Sequence, residues 1–132
     1  MYLLDTNICI FAINKKSFNV LKRIKEKLKK GIFISSLTIA ELEYGVENSN
    51  QIERNRVALL EFLSVFNVLD FDDADAITYG KLKVRLKKEG NFIGPIDMLL
   101  AAQAISKDLI FVTNNMGEFK RIAGIKIEDW SK

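Results

Sequence analysis

Histidine is absent from the 132 residues of this chain, and its absence removes whole classes of mechanism. No Ser-His-Asp or Cys-His nucleophile can be assembled, imidazole cannot hold zinc, and there is no imidazole acid–base pair. Cysteine occurs once, as Cys9, which excludes an intrachain disulfide and thiolate metal cages and suits a reducing cytoplasm. No apolar run approaches the roughly 18 residues that span a bilayer. Met1 leads straight into Tyr-Leu-Leu-Asp with no basic region before it, so a secretory leader is not expected either. Repeats, low-complexity tracts and linkers are also lacking, and residues 1–132 read as a single domain. Any enzyme chemistry must rest on carboxylates, hydroxyls, amides and amines, with or without a hard cation.

What is present suits a folded domain. Hydrophobic residues make up 48% and charged residues 28%, a balance that buries a core and argues against disorder. The net charge of +3 matters less than its distribution. Between Lys15 and Lys30, eight of sixteen residues are Lys or Arg, opposed only by Glu26. A second basic run comprises Lys81, Lys83, Arg85, Lys87 and Lys88. Each run reads either as a solvated helix face or as a footprint for an RNA backbone, and the second reading gains weight if an acidic metal site lies nearby.

Along the chain, short apolar runs alternate with helical patterns. Tyr2–Leu4 predicts a strand, and Thr6 or Asn7 can cap a helix through Ile8–Ile13. Phe18, Leu21, Ile24 and Leu28 recur at helical spacing, Gly31 stops that helix, and Ile32–Ser35 reads as a buried strand. Ser36 and Thr38 open the next helix, where Thr38-x-x-Glu41 matches a capping box. Ile52, Leu59, Leu60 and Leu63 give a further helix, and Phe66–Leu69 a third strand. In Asp73–Glu89, Leu82, Val84 and Leu86 alternate with basic residues as in a strand. The length of the segment and the shared face of Tyr79, Leu82 and Leu86 favour a helix. Gly90–Gly94 is a loop, Leu109–Val112 a strand, Thr113–Gly117 a polar loop, and Ile125–Ile127 a last strand. This order predicts an α/β fold with a mainly parallel sheet covered by helices on both faces.

Asp97 is the only charge between Pro95 and Ser106, a segment apolar on nearly every face and so a core helix. A buried carboxylate needs a partner. Gly94-Pro95 fits a helix start, where an Asp in the first turn also gains from the helix dipole. Asp5 follows an equally apolar strand and suits a helix cap, Glu41 suits the back half of the capping box, and Asn115 with Glu118 suits a loop and helix start. Thr6 and Thr113 read as caps whose hydroxyls can orient waters around a metal. Ligands of parallel sheets bind beyond the carboxyl ends of the strands, and there these segments are expected to meet. Two carboxylates about 5 Å apart repel by roughly 3 kcal/mol at an effective dielectric near 20. If Asp5, Glu41 and Asp97 converge, a Mg²⁺ or Mn²⁺ ion removes that penalty, and such an ion facing a basic rim suits phosphoryl transfer.

Four segments resemble the PIN-domain ribonucleases, and specifically the VapC toxins of bacterial toxin–antitoxin pairs. They are Leu4-Asp5-Thr6-Asn7, Ser36-Leu-Thr-Ile-Ala-Glu41-Leu, Gly94-Pro-Ile-Asp97-x-x-x-Ala-Ala and Val112-Thr-Asn-Asn-x-x-Glu118-Phe, with a similar ending through Trp130. The resemblance implies a PIN-like three-layer α/β/α fold with four to five strands, and a Mg²⁺- or Mn²⁺-dependent endoribonuclease. Asp5 and Asp97 would be the principal metal ligands, with Glu41 holding the metal directly or through water. The family's fourth acidic position falls at Asn115, an amide, while Glu118 lies one turn on, so one tightly held cation is expected and a second is open. The resemblance also implies a homodimer, a VapB-like antitoxin that blocks the site, operator DNA bound through their complex, and initiator tRNA cut in the anticodon loop. Two other readings compete. A phosphatase with Asp5 as nucleophile usually has a second Asp two residues later, where this chain has Asn7. A catalytically inactive RNA-binding or scaffolding module would keep the fold without the chemistry.

Overall fold

The computed structural model describes residues 1–132. In chain order the elements are β1 (Tyr2–Leu4), α1 (Thr6–Ile13), α2 (Phe18–Lys27), β2 (Ile32–Ser35), α3 (Ser36–Glu47), α4 (Ile52–Leu63), β3 (Asn67–Leu69), α5 (Asp73–Lys88), α6 (Pro95–Ser106), β4 (Ile110–Val112), α7 (Met116–Phe119) and β5 (Lys126–Glu128). The strands form one sheet in the order β3-β2-β1-β4-β5, every neighbouring pair parallel. The sheet thus has five strands and no antiparallel member.

Side chains alternate between the faces of a strand, and here the alternation divides the core in two. Tyr2 and Leu4 join Ile32, Ile34 and Val112 against residues of α1 to α4. Leu3 and Phe111 point the other way, against Leu82 and Leu86 of α5, Leu100 of α6 and Phe119 of α7. Helices therefore cover both faces, giving the α/β/α layers expected. The strands run only three or four residues; the central β1, β2 and β4 are largely buried and mostly apolar, whereas the edge strands β3 and β5 carry Asn67, Lys126 and Glu128 and are more exposed. Trp130 seals one side of the sheet, its ring edge-on to Tyr2 at 5.1 Å with the Arg23 guanidinium 5.8 Å above it.

The helix starts settle the caps the sequence left open and correct others. Of the candidates for α1, Asp5 is the cap and Thr6 and Asn7 are not, the Asp5 Oδ1 accepting from the Thr6 amide at 2.8 Å. Ser35 caps α3 by accepting from the Leu37 amide at 3.1 Å. Because β2 passes into α3 without a loop, Thr38 lies inside the helix and the Thr38–Glu41 capping box does not form. A reciprocal box does open α5, between Asp72 and Asp75. There the helical reading holds: Leu82 and Leu86 are buried while Val84 faces solvent. Strand ends shift by a residue, and Phe66, expected in β3, packs its ring on Phe62 of α4 at 4.8 Å.

Candidate active site

The chain builds β1, β2 and β3 outward on one side and then returns to place β4 and β5 on the other side of β1. The β1–β4 boundary is therefore the point where strand order reverses, the usual place for a ligand crevice. The residues just beyond both strands meet there. Leu4 pairs with Val112 in register, and the Asp5 amide donates to the Val112 carbonyl at 2.8 Å. The Thr113 hydroxyl donates to Asp5 Oδ2 at 2.8 Å, joining residues 108 positions apart. Burial holds the Asp5 carboxyl above its usual range, the Thr113 hydroxyl and Thr6 amide oppose that, and Glu41 and Glu118 add to the rise. Each Asp5 oxygen accepts one hydrogen bond from the protein and retains a lone pair.

Asp97 sits in the first turn of α6, after Gly94 and Pro95 at the helix start. That helix is buried nearly all round, at Met98, Leu100, Ala101, Ala102, Gln103 and Ala104, which is why its one charge stands out in sequence. The Asp97 carboxyl is pushed up to about 7, first by burial, then by the charge of Asp5, by Glu118 and by Glu41. Glu118 of α7 is thus one of three acidic groups felt at Asp97. The Asn115 amide donates to Glu118 Oε2 at 3.1 Å, while Glu118 Oε1 is buried with no hydrogen-bond partner. The Asn115 amide N–H in turn donates to Thr113 Oγ1 at 3.0 Å, so one short loop holds three of the site's side chains in relation.

Glu41, in the second turn of α3, accepts from the Thr6 hydroxyl at 2.6 Å, and Thr6 Oγ1 lies 3.2 Å from Thr38 Oγ1. Thr6, expected as a cap, instead ties Glu41 to the Asp5 loop. Thr38 is a contributor that the capping-box pattern concealed. Asp5, Glu41 and Asp97 line one open cleft of about 560 Å³ with Thr6, Asn7 and the apolar side chains around them. Arg121 also escaped the sequence reading: it donates to the Glu118 and Phe92 carbonyls, each at 3.4 Å, and so links the segments carrying Glu118 and Asp97.

The donors suit a hard divalent cation. Mg²⁺ is often held by one or two carboxylates and keeps several waters, and Asp5 with Asp97 offers such a pair. The orphaned Glu118 Oε1 and the raised Asp97 carboxyl mark negative charge lacking a counter-charge. No group of three acidic or thiol side chains is preassembled to hold an ion, so this is an open pair rather than a closed cage. The basic runs stand apart. No Lys or Arg lines the cleft, and the lysines of α2 and α5 lie mostly exposed on helix surfaces. Arg23 is engaged by Glu128 at 3.5 Å as well as by Trp130.

With this geometry in view, comparisons with known proteins agree on one family. The model of the PIN domain matches residues 2–125. The tRNA(fMet)-specific endonuclease VapC of Shigella flexneri is 44% identical over 130 residues, covering 98% of both chains. A crystal structure of VapBC2 from Rickettsia felis bound to a DNA fragment from their promoter contains a chain that matches with a TM-score of 0.94 and 40% identity, again over 98% of each. DNA-bound VapBC from Salmonella typhimurium matches with a TM-score of 0.93 and 43% identity, over 98% of this chain and 97% of that one. The chain belongs to the PIN-domain family, and within it to the VapC ribonucleases.

Proposed function

We propose that this chain is the toxin of a VapBC-type pair, a Mg²⁺- or Mn²⁺-dependent endoribonuclease acting in the cytoplasm on initiator tRNA, cut in the anticodon loop. The observation that carries the reading is that Asp5, Glu41 and Asp97, from three separate segments, line one cleft beyond the carboxyl ends of β1 and β4, with the charge of Glu118 felt at Asp97. The Shigella flexneri relative, named for tRNA(fMet), supports the substrate. The VapBC structures support a VapB-like antitoxin and operator DNA bound through the complex. In this reading residues 1–132 act as one PIN domain, paired as a homodimer.

Asp5 and Asp97 would hold the ion. When bound, a hard divalent cation offsets the repulsion among the carboxylates, acidifies water and balances charge growing on the phosphate. The chain's own groups do the positioning. Thr113 and the Thr6 amide fix the plane of the Asp5 carboxylate. Glu41, steadied by Thr6, accepts a hydrogen bond from the attacking water and takes its proton as oxygen bonds to phosphorus and a phosphorus–ribose oxygen bond breaks, the departing ribose oxygen taking a proton from solvent water. Asn115 aims Glu118 across from Asp97, and Glu118 is the fourth acidic group. One cation per chain is proposed, because Asn115 contributes no charge of its own.

The reading is tested by expressing the chain in bacteria with and without the neighbouring small open reading frame, then mapping newly formed RNA ends. Growth arrest, relief by the neighbour and a dominant new end in initiator tRNA are expected. Unimpaired growth with no new RNA ends would overturn the proposal.

A further inference from the structure

Helix α3 contributes more to the cleft than Glu41. Leu37, Ala40, Glu41 and Tyr44 all line it, and positions spaced three, four and seven apart share one helix face. The Tyr44 ring is 71% exposed and lies one turn beyond Glu41 along that face. It joins none of the aromatic pairs of the fold, which are Tyr2–Trp130, Phe62–Phe66 and Phe111–Phe119. Ala40, one turn before it on the same face, is small and exposed, and Gly45 beside it has open space where a Cβ would stand. Across the cleft stand Ile10 of α1 and Ile96 of α6, both apolar. The acidic end of the cleft thus continues into a part walled by a flat aromatic ring and aliphatic side chains.

A large exposed aromatic in a catalytic cleft that contains no Lys or Arg has little to offer a phosphate and much to offer a base. Unstacked bases in single-stranded RNA are commonly captured on aromatic rings, and such stacking tolerates sequence because every base has a π-face. We infer that Tyr44 is a positioning residue for the substrate, stacking one unpaired base beside the scissile phosphate and so setting which phosphodiester reaches Asp5 and Asp97. The inference rests on the endoribonuclease reading and deepens it. Phosphate attraction is left to cations outside the cleft, and alignment within it to the ring.

The test uses full-length protein, Mg²⁺ and an initiator-tRNA anticodon stem-loop, together with copies abasic at each loop nucleotide in turn. Tyr44→Ala is expected to raise KM about ten-fold or more with a much smaller change in kcat, while Tyr44→Phe stays near wild type. One abasic position should raise the wild-type KM by a similar factor and add little on top of Tyr44→Ala. An exposed ring leaves no cavity, so Tyr44→Ala should also retain the wild-type Tm. An unchanged KM in Tyr44→Ala, or a full additional penalty from every abasic position in that variant, would overturn the inference. Loss of antitoxin binding alongside an unchanged KM would assign the ring to the protein partner instead. Failure of the wild type to cut the stem-loop or any tRNA would count against the endoribonuclease reading itself, a separate outcome.

Discussion

Asp97 illustrates at the residue scale how a site is held against its own repulsion. Unfolded, its carboxyl ionises near 3.8; in the folded, metal-free chain it keeps its proton to about 7. Across that interval the folded state binds more protons than the unfolded state, so this group makes stability fall as pH rises. The Tm of metal-free protein is therefore expected to fall from about pH 5 to about pH 8, and to fall less in Asp97→Asn. The same variant should be at least as stable as wild type at neutral pH while losing RNA cleavage, the expected trade at a strained functional site. An equally steep pH dependence in Asp97→Asn, measured by thermal melts, would contradict this. Asp97 was legible in sequence because it is a lone charge in an apolar helix. The Thr6–Glu41 bond was not, because it joins positions 35 apart and the local cap pattern offered each residue a simpler role. Thr6→Val is expected to lower kcat by about ten-fold or more without unfolding the chain, by freeing a carboxylate used as a general base; steady-state kinetics on the stem-loop will show it.

Between elements, the site depends on how α6 is clamped. Gln103, fully buried, donates to the Leu69 carbonyl at the end of β3 at 3.2 Å. Lys107, just past α6, reaches Asp72 Oδ2 at 2.5 Å and Asp75 Oδ1 at 3.3 Å, the pair whose reciprocal box opens α5. Asp75 is wholly buried, so its removal leaves Lys107 short of a partner and the cap broken. Asp75→Ala is expected to cost about 3 kcal/mol in urea unfolding, whereas a change below about 0.5 kcal/mol would make the clamp incidental. The hydrogen bond from Lys107 holds the Asp72 carboxyl below its usual 3.8. That contribution is complete above the ordinary value and disappears as pH falls through the lowered one. The elements themselves were largely readable, from helical spacing in α2 and α5 and from apolar runs in the central strands, although of Phe18, Leu21, Ile24 and Leu28 only Ile24 is buried, joined in α2 by Val20. Their starts were less so. Ser35 ends β2 and Asp5 directly follows β1, and each turns straight into a helix; local patterns placed the α3 cap one to three residues late and left Asp5 as one of three candidates for α1.

For the whole molecule, parallel pairing around β1 brings Asp5, Glu41 and Asp97 to the lining of one cleft, and the two cores on either side of the sheet keep them there. The layers were readable, since they follow from patterns within single segments. That the charge of Glu118 is felt at Asp97 was not, since α7 comes near α6 only once β4 is placed beside β1. The basic faces of α2 and α5 remain outside the cleft, so their part is tested by salt. If they contact RNA phosphates, log affinity should fall linearly with log salt, with a slope reduced by about one for each contacting lysine neutralised; a flat response would leave them as solvated surface. The most direct test of the central claim is calorimetric titration of Mn²⁺ into wild type, Asp5→Asn and Asp97→Asn. One cation bound per wild-type chain, and none or far weaker binding in either variant, is the expected result. Binding of equal strength in all three proteins, or no binding to the wild type, would contradict the account.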